Sequence, residues 1–313
     1  MLRTVGFVAV ICWAGLASSA QAQVKLELKH TEGAQTTDLV TSKTHQILSI
    51  NGMDVETTSE ETVRVRSAIG TRKADGSLPI ETKIESLRAQ ISLPGNMVLS
   101  FDSANPPDKK DESPLGFLLD VFKAVAGSSY TIILDKNDKV ASVEGTQKVL
   151  DKATELNPMA AEMLRSRMDV EKIKHSHEQE TDIFPTILVR PGDTWEKKED
   201  NDIGGGQTLA FQRRYEYQGP VNKDGAMLEK IGSKALSVTY SMDPNASSPA
   251  KVTKSDLKVD SSEGTILFDR KLGRVVERSG KIKISGDMTL SIAGNELPTK
   301  LNLSMESSVK LEK

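Results

Sequence analysis

Val24-Lys25-Leu26-Glu27-Leu28 and Val63-Arg64-Val65-Arg66 set an apolar residue at every second position and a charged one between. A period of two is the pleat of a β-strand with one face buried and the other wet. Between the two stretches, Ile47-Leu48-Ser49-Ile50 runs into Asn51-Gly52, a dipeptide that tolerates the positive φ angles of a tight hairpin turn. Asp75-Gly76 and Pro94-Gly95 punctuate the next strands in the same manner. The pattern predicts a four-strand antiparallel meander from Val24 to Phe101.

Outward from that meander, Asn105 to Pro114 is a loop of prolines, charges and small polar residues. Leu115 to Val125 then carries Leu118, Leu119, Val121, Phe122 and Val125 at helical spacing, and Gly127 ends it. Tyr130 to Leu134 is a β-branched run that a polar turn at Asp135 to Lys139 returns through Val140 to Val143. The period changes at Thr146, read as the N-cap of a helix bearing Val149, Leu150 and Ala153; Asn157-Pro158 opens a second helix. Ala160, Met163, Leu164 and Met168 form its apolar face. Past Thr181 alternation returns in Thr208–Tyr217, Met227–Tyr240, Thr265–Phe268, Arg274–Val276, Lys281–Ile284, Met288–Ile292 and Leu297–Leu311. The Gly204-Gly205-Gly206 run and Asp243 to Pro249 are loops.

The fold expected is mainly β, of the α+β kind: two antiparallel curved β-sheet lobes joined by a helical segment. The lobes span residues 23–145 and 181–313, with a helical connector at 146–180 packed on the sheet. An internal repeat is possible, because Thr131-Ile132-Ile133-Leu134-Asp135-Lys136 followed by Val140 parallels Thr265-Ile266-Leu267-Phe268-Asp269-Arg270 followed by Val275. The same pleat and turn chemistry also selects such residues without common descent.

The N-terminus speaks to compartment. Arg3, the apolar Val5–Leu16 and the small-x-small Ala20-Gln21-Ala22 form a signal peptide over residues 1–22, cut after Ala22. Cys12, the single cysteine, leaves with it, so disulfides, thiolate catalysis and cysteine-zinc sites are excluded from the mature chain. No later segment reaches the roughly 20 apolar residues of a transmembrane helix, so a secreted or periplasmic protein without a stable membrane anchor is expected. The 313 residues carry 41 basic and 44 acidic side chains, a net charge of -3. That balance offers no basic field for nucleic acid.

Reactive motifs fall short one by one. His175-Ser176-His177-Glu178 suits a metal by residue type, but residues two apart on a helix diverge, and Thr181 stands where a zinc protease needs its second histidine. Asp135-Lys136-Asn137-Asp138 starts like a calcium loop, yet Lys139 and Val140 occupy its fifth and sixth places. The glycine run lacks the spacing of a dinucleotide loop, and no Gly-x-Ser-x-Gly elbow exists. His30 and His45 fall on exposed strand positions. Glu60-Glu61 and Glu196 with Glu199-Asp200 are acidic pairs, but a sugar cleft wants aromatic platforms and aromatics are 4% of the chain. Trp195 reads as a packing anchor. No catalytic residue, metal ligand or cofactor is assigned.

The Ala20-x-Ala22 signal, the early Asn-Gly hairpin, Phe101-Asp102-Ser103, Ile132 to Gly145, Phe184-Pro185 and Arg190-Pro191-Gly192-Asp193-Thr194-Trp195 together resemble an uncharacterised secreted bacterial family of about this size, a β-rich domain of unknown function. The resemblance covers nearly the whole mature chain. It implies export and supplies no activity. A curved sheet with helices on its concave side is also similar, at the level of fold, to periplasmic lipid and lipoprotein carriers.

The expected function is that of a non-enzymatic cell-envelope protein that binds an apolar ligand, a lipid or a segment of another protein, in a groove of its β-lobes. Leu115, Leu118, Leu119 and Phe122 are the residues expected to line or close the groove. Two alternatives stand beside it: a structural or interaction module with filled cores, and a hydrolase with an unrecognised site.

Overall fold

A computed structural model describes residues 23–106, 115–204, 206–243, 250–292 and 294–312. The signal peptide read at 1–22, with its cleavage point, lies outside them. So do the Pro-rich loop at 107–114, Gly205 and the patch at 244–249.

The chain is mainly β, as its alternation requires. The first meander is β1 (Gln35–Ile50), β2 (Met53–Ile69), β3 (Leu78–Leu93) and β4 (Met97–Asp102). Asn51 and Gly52 take φ of 52° and 80° in the first hairpin, the left-handed pair that this turn demands. Helix α1 (Phe117–Val125) and the hairpin β5 (Ser129–Leu134) and β6 (Val140–Glu144) come after it. Three helices come next: α2 (Thr146–Leu156), α3 (Pro158–Arg167) and α4 (Val170–Asp182). The remaining strands are β7 (Thr194–Gly204), β8 (Gln207–Lys223), β9 (Ala226–Met242), β10 (Ala250–Asp269), β11 (Arg274–Ile292) and β12 (Asn295–Glu312).

The two halves, expected as separate lobes, run on as one sheet of order β6-β5-β3-β2-β1-β12-β11-β10-β9-β8-β7, with β4 beside β3. β1 and β12 pair from Thr37↔Glu312 to Ile50↔Thr299. The reason is the cost of unpaired edges: each half would otherwise leave a long strand with free N–H and C=O groups, and each edge satisfies the other.

Parity assigns the faces. On the outer face Glu60, Lys43, Glu306 and Lys281 alternate in sign across β2, β1, β12 and β11, with Lys43 on Glu60 at 2.8 Å and Lys281 on Glu306. On the inner face β9 and β10 pair only where Gly264–Phe268 meet Ser233–Glu229. Beyond that contact the two strands part and one layer folds over the other. Leu209, Phe211, Ala235 and Val238 thereby share a buried cluster with Ile282, Ile284, Met288, Leu301 and Leu303, strands away in the ladder. Each of the larger side chains contributes about 1.5–3 kcal/mol on burial.

Several local expectations are corrected. Val24–Leu28 is not a strand of the meander: Val24 makes a single bridge to Val189, and Val24 and Leu26 dock as a strap among Tyr215, Tyr217, Ile231 and Phe268. Its alternation reports one buried side, not a ladder. Thr146 is the first helical residue rather than the cap; Gly145, at φ 93°, makes the turn, and its absent Cβ lets Ser129 O and Tyr130 approach. Met163 is 42% exposed and its place is taken by Ala161, because the face is centred between Ala160 and Leu164. Asn157 caps α3 as read, its side chain accepting from Met159 N at 3.0 Å. β7 and the first half of β10 show no clear alternation in sequence; β10 has bulges at Val252/Lys254 and Val259/Ser261 that shift its parity.

Candidate ligand-binding site

The sheet curls until its edge strands β6 and β7 flank one helix. Asp169 starts α4 by accepting from Lys172 N at 3.0 Å. Ile173 of α4 packs on the cluster of Leu78, Ile80, Ile132 and Leu134 at the β5–β6 end. The opposite flank holds β7: Lys172 meets Asp202 at 2.6 Å and Lys197 meets Asp182 at 2.8 Å. Gln179 bonds the backbone of Asp200, accepting from its N–H at 2.6 Å and donating to its carbonyl at 3.3 Å. One amide side chain thus replaces the strand that the β7 edge lacks.

Beneath α4 lies a trough, formed by two adjoining cavities that reach β1 at Ser42 and Thr44. The inner-face floor beside it includes β1 and β2, strands in which no residue is fully buried. One row of paired positions crosses that floor: Val63 on β2, Val40 on β1, Val309 on β12, then Arg278 on β11. Val40, Val63 and Val309 are half-buried. The adjacent row is Glu61, Ser42, Ser307, Gly280 and Gly264. Oily and polar rows thus lie side by side.

At the end of those rows Arg213 Nε of β8 and Arg278 NH2 of β11 converge on one oxygen of Glu199, at 3.0 and 3.4 Å. Glu199 is 8% exposed, and its other oxygen has no hydrogen-bond partner among the described residues. Burial pulls the Arg213 guanidinium below its ordinary pKa against the pull of Glu199. Around this group a cavity of about 200 Å³ is lined by the two arginines and by Ser42, Thr44, Asn201, Ser233 and Ser307, with Lys281 and Glu306 also at its wall. A second of about 110 Å³ adjoins it under α4, beside Ser176, Gln179 and Glu180. Glu180 is solvent-exposed on α4 and lines the second cavity. Loss of bulk hydration pushes its carboxyl up, with Asp38 raising it further and Arg278 opposing. Asp38 is itself pushed up by burial, against Arg274. Of the two histidines of this helix, His177 is lowered by burial and by the neighbouring His30.

The residues expected to line a groove lie at α1, in the cluster against which Val63 of the aliphatic row also packs. Leu119 is buried, and Leu115, Leu118 and Phe122 pack half-buried on Leu87, Ala89, Leu99 and Phe101 of β3 and β4. Phe122 stacks on Phe101 at 5.8 Å. His175 lies outside the trough, 3.3 Å from Asp200. His45 is exposed on β1 beside Glu56, whereas His30 precedes β1 and is partly enclosed, a departure from the strand position expected. Asp135 spends its carboxylate on the amides of Asn137 and Lys139, at 2.7 and 3.0 Å. Trp195 donates to Ile183 O at 2.6 Å and stacks on Tyr215. Among the described residues no group of three or more His, Cys, Asp or Glu is placed to hold a metal.

Arg213, Arg278, Glu180 and Asp38 escaped the sequence reading, which singled out Glu199 only as one of an acidic pair. A usable signal was there for the arginines, each of which shares parity with inward apolar residues: Arg213 with Phe211 and Tyr215, Arg278 with Ile282 and Ile284. A charge in phase with a buried face asks for a partner or a ligand.

Residues 75–274 match a family of unknown function, DUF6263. The chain belongs to that family. The matched span holds every helix, Glu180, Glu199 and Arg213, and leaves Asp38 and Arg278 outside. No curated protein matches the chain. Similar solved structures include lipovitellin, described by its lipid–protein interactions, at 10% identity and a TM-score of 0.46, over 91% of this chain and 26% of that one. The chain thus spans about a quarter of lipovitellin's length. DynF of the dynemicin biosynthesis pathway from Micromonospora chersina has 9% identity and a TM-score of 0.20, over 93% and 86%. An exported protein with a YmcC-like fold from Bacteroides fragilis has 6% identity and a TM-score of 0.21, over 93% and 100%. No helix among the described residues is long and apolar enough to cross a membrane.

Proposed function

We propose that the protein is an exported, non-enzymatic carrier that holds an amphiphilic molecule on the inner face of its curved sheet, beneath α4. The observation that carries this reading is the row Val63–Val40–Val309–Arg278. Three half-buried aliphatic side chains lead across neighbouring strands to a guanidinium beside an enclosed polar cavity. With strands about 4.8 Å apart, the aliphatic part spans on the order of 10–15 Å, the scale of a medium acyl chain. Apolar walls with a few convergent polar groups are the usual make-up of a small-molecule site. The Ala20-x-Ala22 leader supports export.

The test is isolation of the mature protein from cells expressing the full chain with its leader, then native mass spectrometry and solvent extraction. A bound amphiphile released on denaturation is the expected result. Ligand-free protein that also ignores an added fluorescent fatty acid would overturn the reading.

A second reading, an envelope interaction module with filled cores, is favoured by the packing of Leu118, Leu119 and Phe122 onto β3 and β4. It predicts the ligand-free outcome. The hydrolase reading called for acids and a histidine converging in one cleft. Glu180 and His177 share α4, and His177 Nε2 makes no hydrogen bond among the described residues.

A further inference from the structure

We propose that the cavity between Arg213 and Arg278 is the seat of an oxyanion, the carboxylate or phosphate head of the carried amphiphile. This assignment rests on the carrier reading and gives it a head-group chemistry. The two arginines come from strands separated by β9 and β10, yet both turn to a single carboxylate oxygen of Glu199. Two guanidiniums against one carboxylate leave a surplus positive charge in a partly enclosed place. An enclosed charge is expensive without a counter-ion. Of the further acids, Glu180 and Asp38 are both biased toward their neutral forms by their surroundings, while Glu306 and Asp200, which line the two cavities, are engaged by Lys281 and His175.

Donors are in surplus as well. Arg213 Nε lies 3.0 Å from Glu199 yet is out of line for a hydrogen bond, and it has no other partner among the described residues. A guanidinium presents five N–H groups in a planar fork that matches two oxygens of a carboxylate or phosphate. Ser42, Thr44, Ser233, Ser307 and Asn201 add neutral donors around the same space.

Two glycines stand beside this space. Gly264 and Gly280 face each other across β10 and β11 on this inner row. A Cβ on Gly264 would fall 2.3 Å from Ser233 Oγ. The cavity of about 200 Å³ is therefore sized for a head group, while the aliphatic row beginning at Val309 receives the tail. The unpartnered oxygen of Glu199 accepts a hydroxyl or amine proton if the head group carries one.

The experiment uses the whole mature protein, delipidated, and four probes: laurate, dodecyl phosphate, dodecanol and inorganic phosphate. Binding is read by calorimetry below micelle-forming concentrations. Laurate and dodecyl phosphate are expected to bind about tenfold or more tighter than dodecanol, as a charge-assisted hydrogen bond requires. Their relative order tells carboxylate from phosphate. Arg278→Gln, at a partly exposed side chain, should erase that preference, and Arg278→Lys should restore part of it. If dodecanol equals the anions, or Arg278→Gln leaves the ratio intact while circular dichroism shows a folded sheet, the head-group assignment is overturned and the carrier reading survives. If no dodecyl probe binds but inorganic phosphate does, in an Arg278-dependent way, the anion seat survives and the carrier reading falls. If nothing binds, both fall.

Discussion

The Tyr217 hydroxyl donates to Glu229 Oε2 across the β8–β9 ladder at 2.6 Å, and both side chains are buried. Arg270 approaches the other carboxylate oxygen at 3.6 Å from the β10–β11 turn. A buried carboxylate is thus held by one phenol and one cation, in the cluster that also receives the N-terminal strap. Tyr217→Phe removes the phenol and strands an acceptor, so a loss of about 1–3 kcal/mol is expected. Urea denaturation should show a lower midpoint with an unchanged slope; an unchanged midpoint would mean that the bond contributes nothing net.

Asn157 has two employments. Its side-chain oxygen caps α3, and its amide nitrogen donates to the buried Asp120 of α1 at 3.3 Å. Asn157→Ala should cost about 1 kcal/mol for the cap alone. Asn157→Asp keeps the cap and sets a carboxylate against Asp120, so it should be the worse variant at neutral pH. The order should reverse or vanish in acid, where protonation relieves the repulsion. A fixed order from pH 4 to 8 in thermal melts would contradict the pairing with Asp120.

Glu180 makes stability depend on pH. Unfolded, its carboxyl titrates near the ordinary 4.5; folded, it titrates higher because the trough withholds hydration and Asp38 stands nearby. Between those two values the folded chain binds more protons, so stability falls as pH rises through the window and stays lower above it. Asp38, also raised, acts in the same sense. Glu180→Gln removes the contribution. Melting of the variant and the parent should coincide at pH 3.5, and the variant should be the more stable at pH 7.5. Equal melting at both values would show that Glu180 is hydrated as in the unfolded chain.

Elements that depend on their neighbours in sequence were legible before the fold was known. The Asn51-Gly52 hairpin, the Ser129–Glu144 hairpin and α1 and α3 are of this kind: a turn dipeptide, a period, a cap. The joining of the halves was not legible, because the β1–β12 ladder links Thr37 to Glu312 and no local period encodes a partner that far away. Val24–Leu28 misled for a related reason, since burial on one side gives the same alternation whether a segment pairs or only docks. The candidate site was the least legible. Arg213, Glu199 and Arg278 are spread over three strands, and only the curl of the sheet makes them neighbours.

Continuity of the sheet gives a last expectation. Two lobes joined by a helical connector would unfold in two steps, each sensitive to core changes in its own half. A sheet whose halves share the β1–β12 ladder unfolds in one. Leu87 is buried under α1 in the first half and Leu303 lies in the folded-over cluster of the second. Leu87→Ala and Leu303→Ala should each cost about 2–5 kcal/mol through lost burial and a residual cavity. Because the strands are coupled, both variants should lower one common midpoint, seen alike by Trp195 fluorescence and by far-ultraviolet dichroism. Trp195 belongs to the second half, so Leu87→Ala is the telling variant. If it leaves the fluorescence transition in place while part of the dichroism melts early, the ladder between β1 and β12 does not couple the halves.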